Sequence, residues 1–436
     1  MTTTYDPSEP KYYDEGDLRE ELGRVFELCH GCRMCFNYCD SFPLLFNFVD
    51  SKDQQHADLT PTEQDAVVDA CFGCKICYVK CPYIPPHEWA LDFPRLMLRA
   101  QAVRTANHQR DLRSRVTDQV LARTDTVGAL NQALSGVVNP IVSRPNTGIR
   151  RVMEQVAGVS SQRLLPSYGK VRFSRWFKDR LPRFISEPRA TVAIFPTCFI
   201  EYMAPQIGAD VTTVYESQDI TCSLPEGVKC CGAPWLHQGN VAEFTRQARA
   251  NVERLDEVVR QGKDIIVSQP TCAYVVKRDY PIYVPGEQSE RVSQHTFDPS
   301  EYLVNLMRKD RSMTLGNVEL DEEVVFHAAC HTQAQNVGLK GRDLLKKLGV
   351  KVRVVAKCSG IDGTWGYRSE NATSSLRMSA SLADQIAKTK ATTIVGDCHL
   401  ANTAIDEALG VRVEHPISLV RKLMGLDTQP PLKGNG

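Results

Sequence analysis

Two stretches of the chain repeat one spacing of cysteines. Cys29, Cys32, Cys35 and Cys39 follow at gaps of two, two and three residues; Cys71, Cys74, Cys77 and Cys81 do so again, and Pro82 follows. Three thiolates in one tight turn can hold three irons of a four-iron cube, and the remote fourth cysteine ligates the other cube in two-cluster proteins. The spacing therefore groups Cys29, Cys32 and Cys35 with Cys81, and Cys71, Cys74 and Cys77 with Cys39, and predicts two [4Fe-4S] clusters. Zinc usually takes two C-x2-C pairs rather than two runs of four. The first run departs slightly, with Asp40 after its last cysteine and proline only at Pro43. His30 reads as an exposed spacer, because the thiolate set is complete without it. Two such clusters pass single electrons along a chain; a purely structural pair is the bland alternative.

Eight further cysteines lie from Cys198 to Cys398, and none lies between 82 and 197. They fall on a repeat. TVAIFPTC (191–198) and EVVFHAAC (323–330) are short apolar runs ending in cysteine, and DIIVSQPTC (264–272) and TTIVGDC (392–398) form a second pair. Helical patterns precede the second pair, so each copy reads as strands alternating with helices around a mostly parallel sheet. Copy one offers Cys198, Cys230, Cys231 and Cys272; copy two offers Cys330, Cys358 and Cys398, with Ser359 in place of a second adjacent cysteine. Adjacent cysteines reach one site only from a tight loop, which Gly232 permits. A vicinal disulfide is disfavoured in a reducing compartment. The cysteines fall at strand ends, where open α/β sheets place ligands.

The elements around the first eight cysteines read as helices. Asp17 to Glu20 resembles a helix start, with Leu18, Leu22 and Phe26 at helical spacing, and Thr60-Pro61-Thr62-Glu63 is a capping box. The 436 residues predict about three domains. Lys plus Arg and Asp plus Glu tie at 52 each, so no global field recruits nucleic acid. The 16 cysteines are too sparse for a disulfide scaffold. The first twenty residues are acidic and lack the apolar core of a secretory signal, and no apolar run is long enough to span a bilayer. The expected location is cytoplasmic, on or off the inner face of the cell membrane. Neutrality conceals a basic middle: 95–190 holds 18 Lys and Arg against 6 Asp and Glu. Its stretch VRFSRWFKDRLPRF (171–184) reads either as a membrane-surface segment or as a solvated helical linker. No G-x-G-x-x-G follows a strand and no P-loop is present, so no flavin or nucleotide is expected on this chain.

Tandem four-cysteine motifs followed by two cysteine-rich CCG-type repeats resemble the iron–sulfur subunits of anaerobic glycerol-3-phosphate dehydrogenase, glycolate oxidase and heterodisulfide reductase. KCSGIDGTWGYRSEN (357–371) is most similar to the glycerol-3-phosphate dehydrogenase branch. The resemblance implies an α+β multidomain chain. An α-helical ferredoxin domain with both cluster motifs would span 1–94, a basic helical segment 95–190, and the duplicated α/β cysteine-rich domain 191–322 and 323–436. Gln269 and Ser359 stand where fuller relatives have cysteine, which argues against a double-cluster disulfide site. Copy one retains enough thiols for a third iron–sulfur cluster at Cys198, Cys230, Cys231 and Cys272. In copy two, His331 or His399, with His327 and Asp397 nearby, would complete a mixed zinc or iron site with Cys330, Cys358 and Cys398; a vestigial copy is the alternative. Trp235 and Trp365 read as core or cluster-shielding rings and His237 as surface. The implied role is an electron-transfer subunit that accepts electrons from a flavoprotein dehydrogenase or other redox protein and delivers them to quinone or another carrier. The alternatives are an enzyme reducing a disulfide or related substrate at the cysteine-rich domain, and a metal-dependent sensor or scaffold.

Overall fold

The computed structural model describes residues 6–428 apart from 53–58, 317, 319 and 321. Residues 1–5 of the acidic start and 429–436 of the second repeat lie outside that description.

The N-terminal region is helical, as its periodicity predicts. Helix α1 (Glu15–Cys32) buries Leu18, Leu22 and Phe26. Its cap is Asp14 and not Asp17: the Asp14 carboxylate accepts the Asp17 amide at 2.7 Å, so the helix starts earlier than its sequence suggests. Helix α2 (Ser41–Asp50) lays Phe42, Leu45, Phe46 and Val49 on α1, and α3 (Pro61–Asp69) carries the expected capping box between Thr60 and Glu63. A short α4 (Ile76–Lys80) and a longer α5 (Phe93–Ala106) close this core. Arg99 of α5 is fully buried, donating to the carbonyls of Lys11 and Tyr12 and pairing with Asp17 at 2.6 Å.

The middle segment is a set of packed helices, α6 (Leu112–Ala122), α7 (Thr124–Ala133), α8 (Ser135–Val142), α9 (Gly148–Ala157) and α10 (Phe173–Asp179). Part of its positive charge is internal. Arg150 donates to the carbonyls of Val142, Ser160 and Arg163, while Arg163 donates to Ser379 and pairs with Glu407 at 2.9 Å. The membrane reading of 171–184 meets a different arrangement. Phe173 and Trp176 are buried in the core of the first repeat, and Arg180 is enclosed against Glu216 at 2.8 Å. An aromatic face committed to the interior is not free for lipid; only Leu181 and Phe184, each 90% exposed, project outward.

Two small parallel sheets follow. The first uses β1 (Ala190–Ile194), β2 (Ile220–Ser223), β3 (Asp264–Ile266) and β4 (Thr296–Phe297) in the order β2-β1-β3-β4, with Val192 opposite Cys222 and Asp264. The second uses β5 (Val324–His327), β6 (Val352–Val355) and β7 (Ile394–Gly396) in the order β6-β5-β7. Parallel neighbours need crossovers, and helices such as Val241–Arg260 and Ala372–Ala387 supply them. β1 and β5, then β3 and β7, are the duplicated strand pairs of the sequence. Ile194 and Ile266 share one apolar core with Phe326 and Val395, so the repeats are fused rather than strung together.

Candidate metal centres

The two four-cysteine runs interleave. One small cavity is lined by Cys29, Cys32, Cys35 and Cys81, a second by Cys39, Cys71, Cys74 and Cys77. In each run the second cysteine is followed by a left-handed residue, Arg33 (φ 53°) and Lys75 (φ 63°), which turns the backbone so that successive thiols face one point. The thiols are crowded as well as enclosed. Burial first, then the neighbouring thiols, push Cys35 up to about 12, and burial raises Cys71 to about 12. Burial likewise lifts Cys39 and Cys77. Four clustered sulfurs that resist ionising alone are stabilised as thiolates by bound iron, so each donor set fits an iron–sulfur cube. The sets adjoin, since Cys35 acts electrostatically on Cys77 and is itself influenced by Cys74. The first set is the outer one, with Met34 and Phe36 exposed beside it. His30 is not an exposed spacer: its side chain is largely buried, and its Nε2 lies 2.9 Å from Asp50.

Copy one gathers its four thiols. Cys198 follows β1, Cys230 and Cys231 precede the helix Ala233–His237, and Cys272 lies on the helix Pro270–Tyr274 after β3. All four are buried. The thiols of Cys198 and Cys231 hydrogen-bond to Cys230, drawing its ionisation down and pushing theirs up. Cys231 also meets Cys272. Gly232 (φ 87°) makes the loop; a Cβ there would come 2.9 Å from Phe244. Trp235 is buried in the same core as these thiols. The helical segment also reaches in. Asp125 of α7 accepts the Cys230 amide at 3.0 Å, and burial raises its carboxyl to about 6. Cys222 of β2 is a core residue remote from this group.

Copy two repeats the loop but divides its thiols. The Gly360 amide donates to Cys358 at 3.2 Å, as that of Gly232 does to Cys230, and Gly360 again has a positive φ. Cys330 lies within hydrogen-bond reach of Cys358 and of Cys74, a thiol of the second N-terminal set. Cys398 faces the other way, accepting from Gln269 at 3.2 Å, while the His399 amide donates to the same Gln269. Gln269 therefore crosses from copy one to copy two. His331 is 3.4 Å from Lys75 and 3.4 Å from Thr271. His327 bonds the Lys357 carbonyl at 2.9 Å, and Asp397 accepts from Thr332. Among the described residues no three His, Cys, Asp or Glu side chains converge on the scale of one metal ion. Of the five residues of the expected mixed site, Cys330 and Cys358 meet each other, while Cys398, His331 and His399 turn to other partners. His237 is not a surface residue: its ring stacks on His331 at 6.4 Å, and burial holds it down at about 3. Trp365 packs on Phe72 and donates to the Asp69 carbonyl, joining repeat two to the N-terminal region.

Sequence spacing singled out the cysteines but not Lys75, Asp125, Thr271 or Asp362, whose roles arise from three-dimensional proximity alone. Glycine-bearing loops were the one available signal, since Asp362 lies in the loop that mirrors Gly232.

Residues 28–84 match the 4Fe-4S dicluster domain family, and residues 192–277 and 324–405 match the cysteine-rich domain family twice. The chain is 28% identical over 309 residues to a subunit of the anaerobic glycerol-3-phosphate dehydrogenase of Escherichia coli (strain K12), covering 70% of this chain and 76% of that one. It is 24% identical over 188 residues to lactate utilization protein A 2 of Bacillus cereus (strain AH820), covering 41% of this chain and 74% of that relative. The chain thus carries a 4Fe-4S dicluster domain followed by a duplicated cysteine-rich domain.

Proposed function

We propose that this chain is an electron-transfer subunit that takes electrons from a flavoprotein dehydrogenase and passes them through its clusters to a quinone or a second redox protein. The observation that carries this reading is the continuity of the thiol sets. The first adjoins the second through Cys35, Cys74 and Cys77, and the second adjoins the cysteine-rich region through Cys330. Cys29, Cys32, Cys35 and Cys81 would hold one cube and Cys39, Cys71, Cys74 and Cys77 the other, each supplying a one-electron carrier when bound. Cys198, Cys230, Cys231 and Cys272 would hold a third. The layout 1–94, 95–190, 191–322 and 323–436 belongs to the same reading. The exposed Met34 and Phe36 beside the outer set suit the dehydrogenase contact. The names of the relatives support a dehydrogenase partner, and organic chemistry then belongs to the partner's cofactor.

The reading extends to an anionic lipid surface at the inner face of the cell membrane. Among the described residues no helix is long and apolar enough to cross a membrane. The helices α6 to α9 nevertheless expose Val137, Ile149, Val152 and Val156 beside Arg144 and Arg151, a pairing suited to interfacial contact.

The test is copurification from the native cell followed by potentiometric titration. A bound flavoprotein that reduces the clusters when given its own substrate is the expected result. A protein whose clusters accept no electrons from any copurifying dehydrogenase would overturn it.

A further inference from the structure

Between α3, α5, α6 and the loop 362–371 lies a cleft of about 1120 Å³. Three features coincide there. Cys71 of the second thiol set lines it. Phe72 and Trp365, with ring centroids 5.1 Å apart, give it an aromatic wall. Beside that wall are buried polar atoms with nothing to bond. The Asp362 side chain is only 5% exposed, neither of its oxygens has a hydrogen-bond partner, and His331 Nδ1 lies 3.6 Å from Oδ1. The Nε2 atom of His237 is likewise enclosed and unpartnered.

Buried polar groups are nearly always bonded, and leaving one unmade costs about 1–3 kcal/mol. Three such atoms on one cleft call for a ligand with polar atoms on a flat apolar body. The electron path restricts the ligand further. A molecule lodged beside Cys71 would receive single electrons, and a flat ring with two carbonyl oxygens can store two of them if it also binds two protons.

We propose that this cleft binds a quinone-class acceptor, its ring against Phe72 and Trp365 and its carbonyl oxygens on Asp362 and His237. This rests on the electron-transfer reading above. The balance is one quinone plus two electrons plus two protons giving one quinol. The electrons come in two single steps from the dehydrogenase partner through this chain, and the protons come from the solvent that reaches the open cleft.

The experiment uses the full chain with its clusters loaded and a water-soluble naphthoquinone as probe. Equilibrium dialysis against the oxidised protein reads binding without turnover. Asp362→Ala, His237→Ala and Trp365→Ala should each weaken it about tenfold, a change of about 1.4 kcal/mol. Dithionite-reduced protein is then reoxidised by the naphthoquinone or by ferricyanide, and the ratio of the two rates should fall about tenfold in the same variants. Asp362→Asn, which keeps the shape and a hydrogen-bonding group, should fall between wild type and Asp362→Ala, and iron content checks that every variant is folded. Equal dialysis affinities in wild type and variants would overturn the cleft assignment. Brisk ferricyanide reoxidation with no naphthoquinone binding would also overturn it while leaving electron transfer standing. Clusters that dithionite reduces but that neither oxidant reoxidises would bring down the electron-transfer reading itself.

Discussion

Cys35 and Cys81 have 45 residues between them, yet both line one cavity, while Cys39, four residues from Cys35, lines another. Cys35→Ser and Cys81→Ser should therefore remove the same electron paramagnetic resonance signal, and Cys39→Ser a different one. Loss of different signals in the first two variants would break the grouping. This pairing was legible in the sequence because the spacing of a cluster motif is a chemical requirement written in consecutive residues. Asp125 and Asp362 were not legible. A single acidic residue carries no period, and what makes these two matter is burial beside Cys230 in one case and beside Cys71 in the other.

Helices and sheets divide in the same way. The strands that end in cysteine were readable as apolar runs, but β2, β4 and β6 were not. Polar residues interrupt the apolar run in β2 (Thr221, Ser223) and Arg353 does so in β6, while β4 spans only two residues. The stretch 171–184 shows the converse error. Aromatic and basic residues at close spacing look the same whether the rings face lipid or core, and here Phe173 and Trp176 face the core. Neutralising Arg180 should accordingly destabilise the fold by about 3 kcal/mol, because it strands Glu216 without its buried partner. It should leave partitioning onto anionic vesicles at low salt unchanged. The combined substitution of Val137, Ile149, Val152 and Val156 by serine should instead reduce that partitioning several-fold. Thermal melts and vesicle sedimentation measure both, and an inverted pattern would return lipid contact to 171–184.

Across the whole molecule the two repeats share a core and a loop geometry but not a ligand set. Copy one gathers four thiols; copy two has Cys330 between Cys358 and Cys74, and Cys398 toward Gln269. A cube takes about four protein ligands, so anaerobically reconstituted protein should hold about 12 irons, four in each of three clusters. Cys231→Ser should lower the count by about four and Ser359→Ala should not change it. A wild-type count near 8 would remove the third cluster and with it any electron path through copy one. The duplication itself was visible in sequence. The division of labour between the copies was not, because the N-terminal region packs against both repeats through residues distant in sequence, and in copy two its Cys74 meets Cys330.

The exchange of fourth thiols between Cys39 and Cys81 has a consequence for birth rather than for work. On a ribosome, the first run of cysteines emerges long before Cys81 is translated, so a nascent chain displays three thiols of one set, Cys29, Cys32 and Cys35, and a single thiol of the other, Cys39. Neither cube can be closed by a maturation scaffold until both runs have left the exit tunnel, and both then close together. A ribosome stalled before Cys71 has emerged should leave chains with neither N-terminal cube.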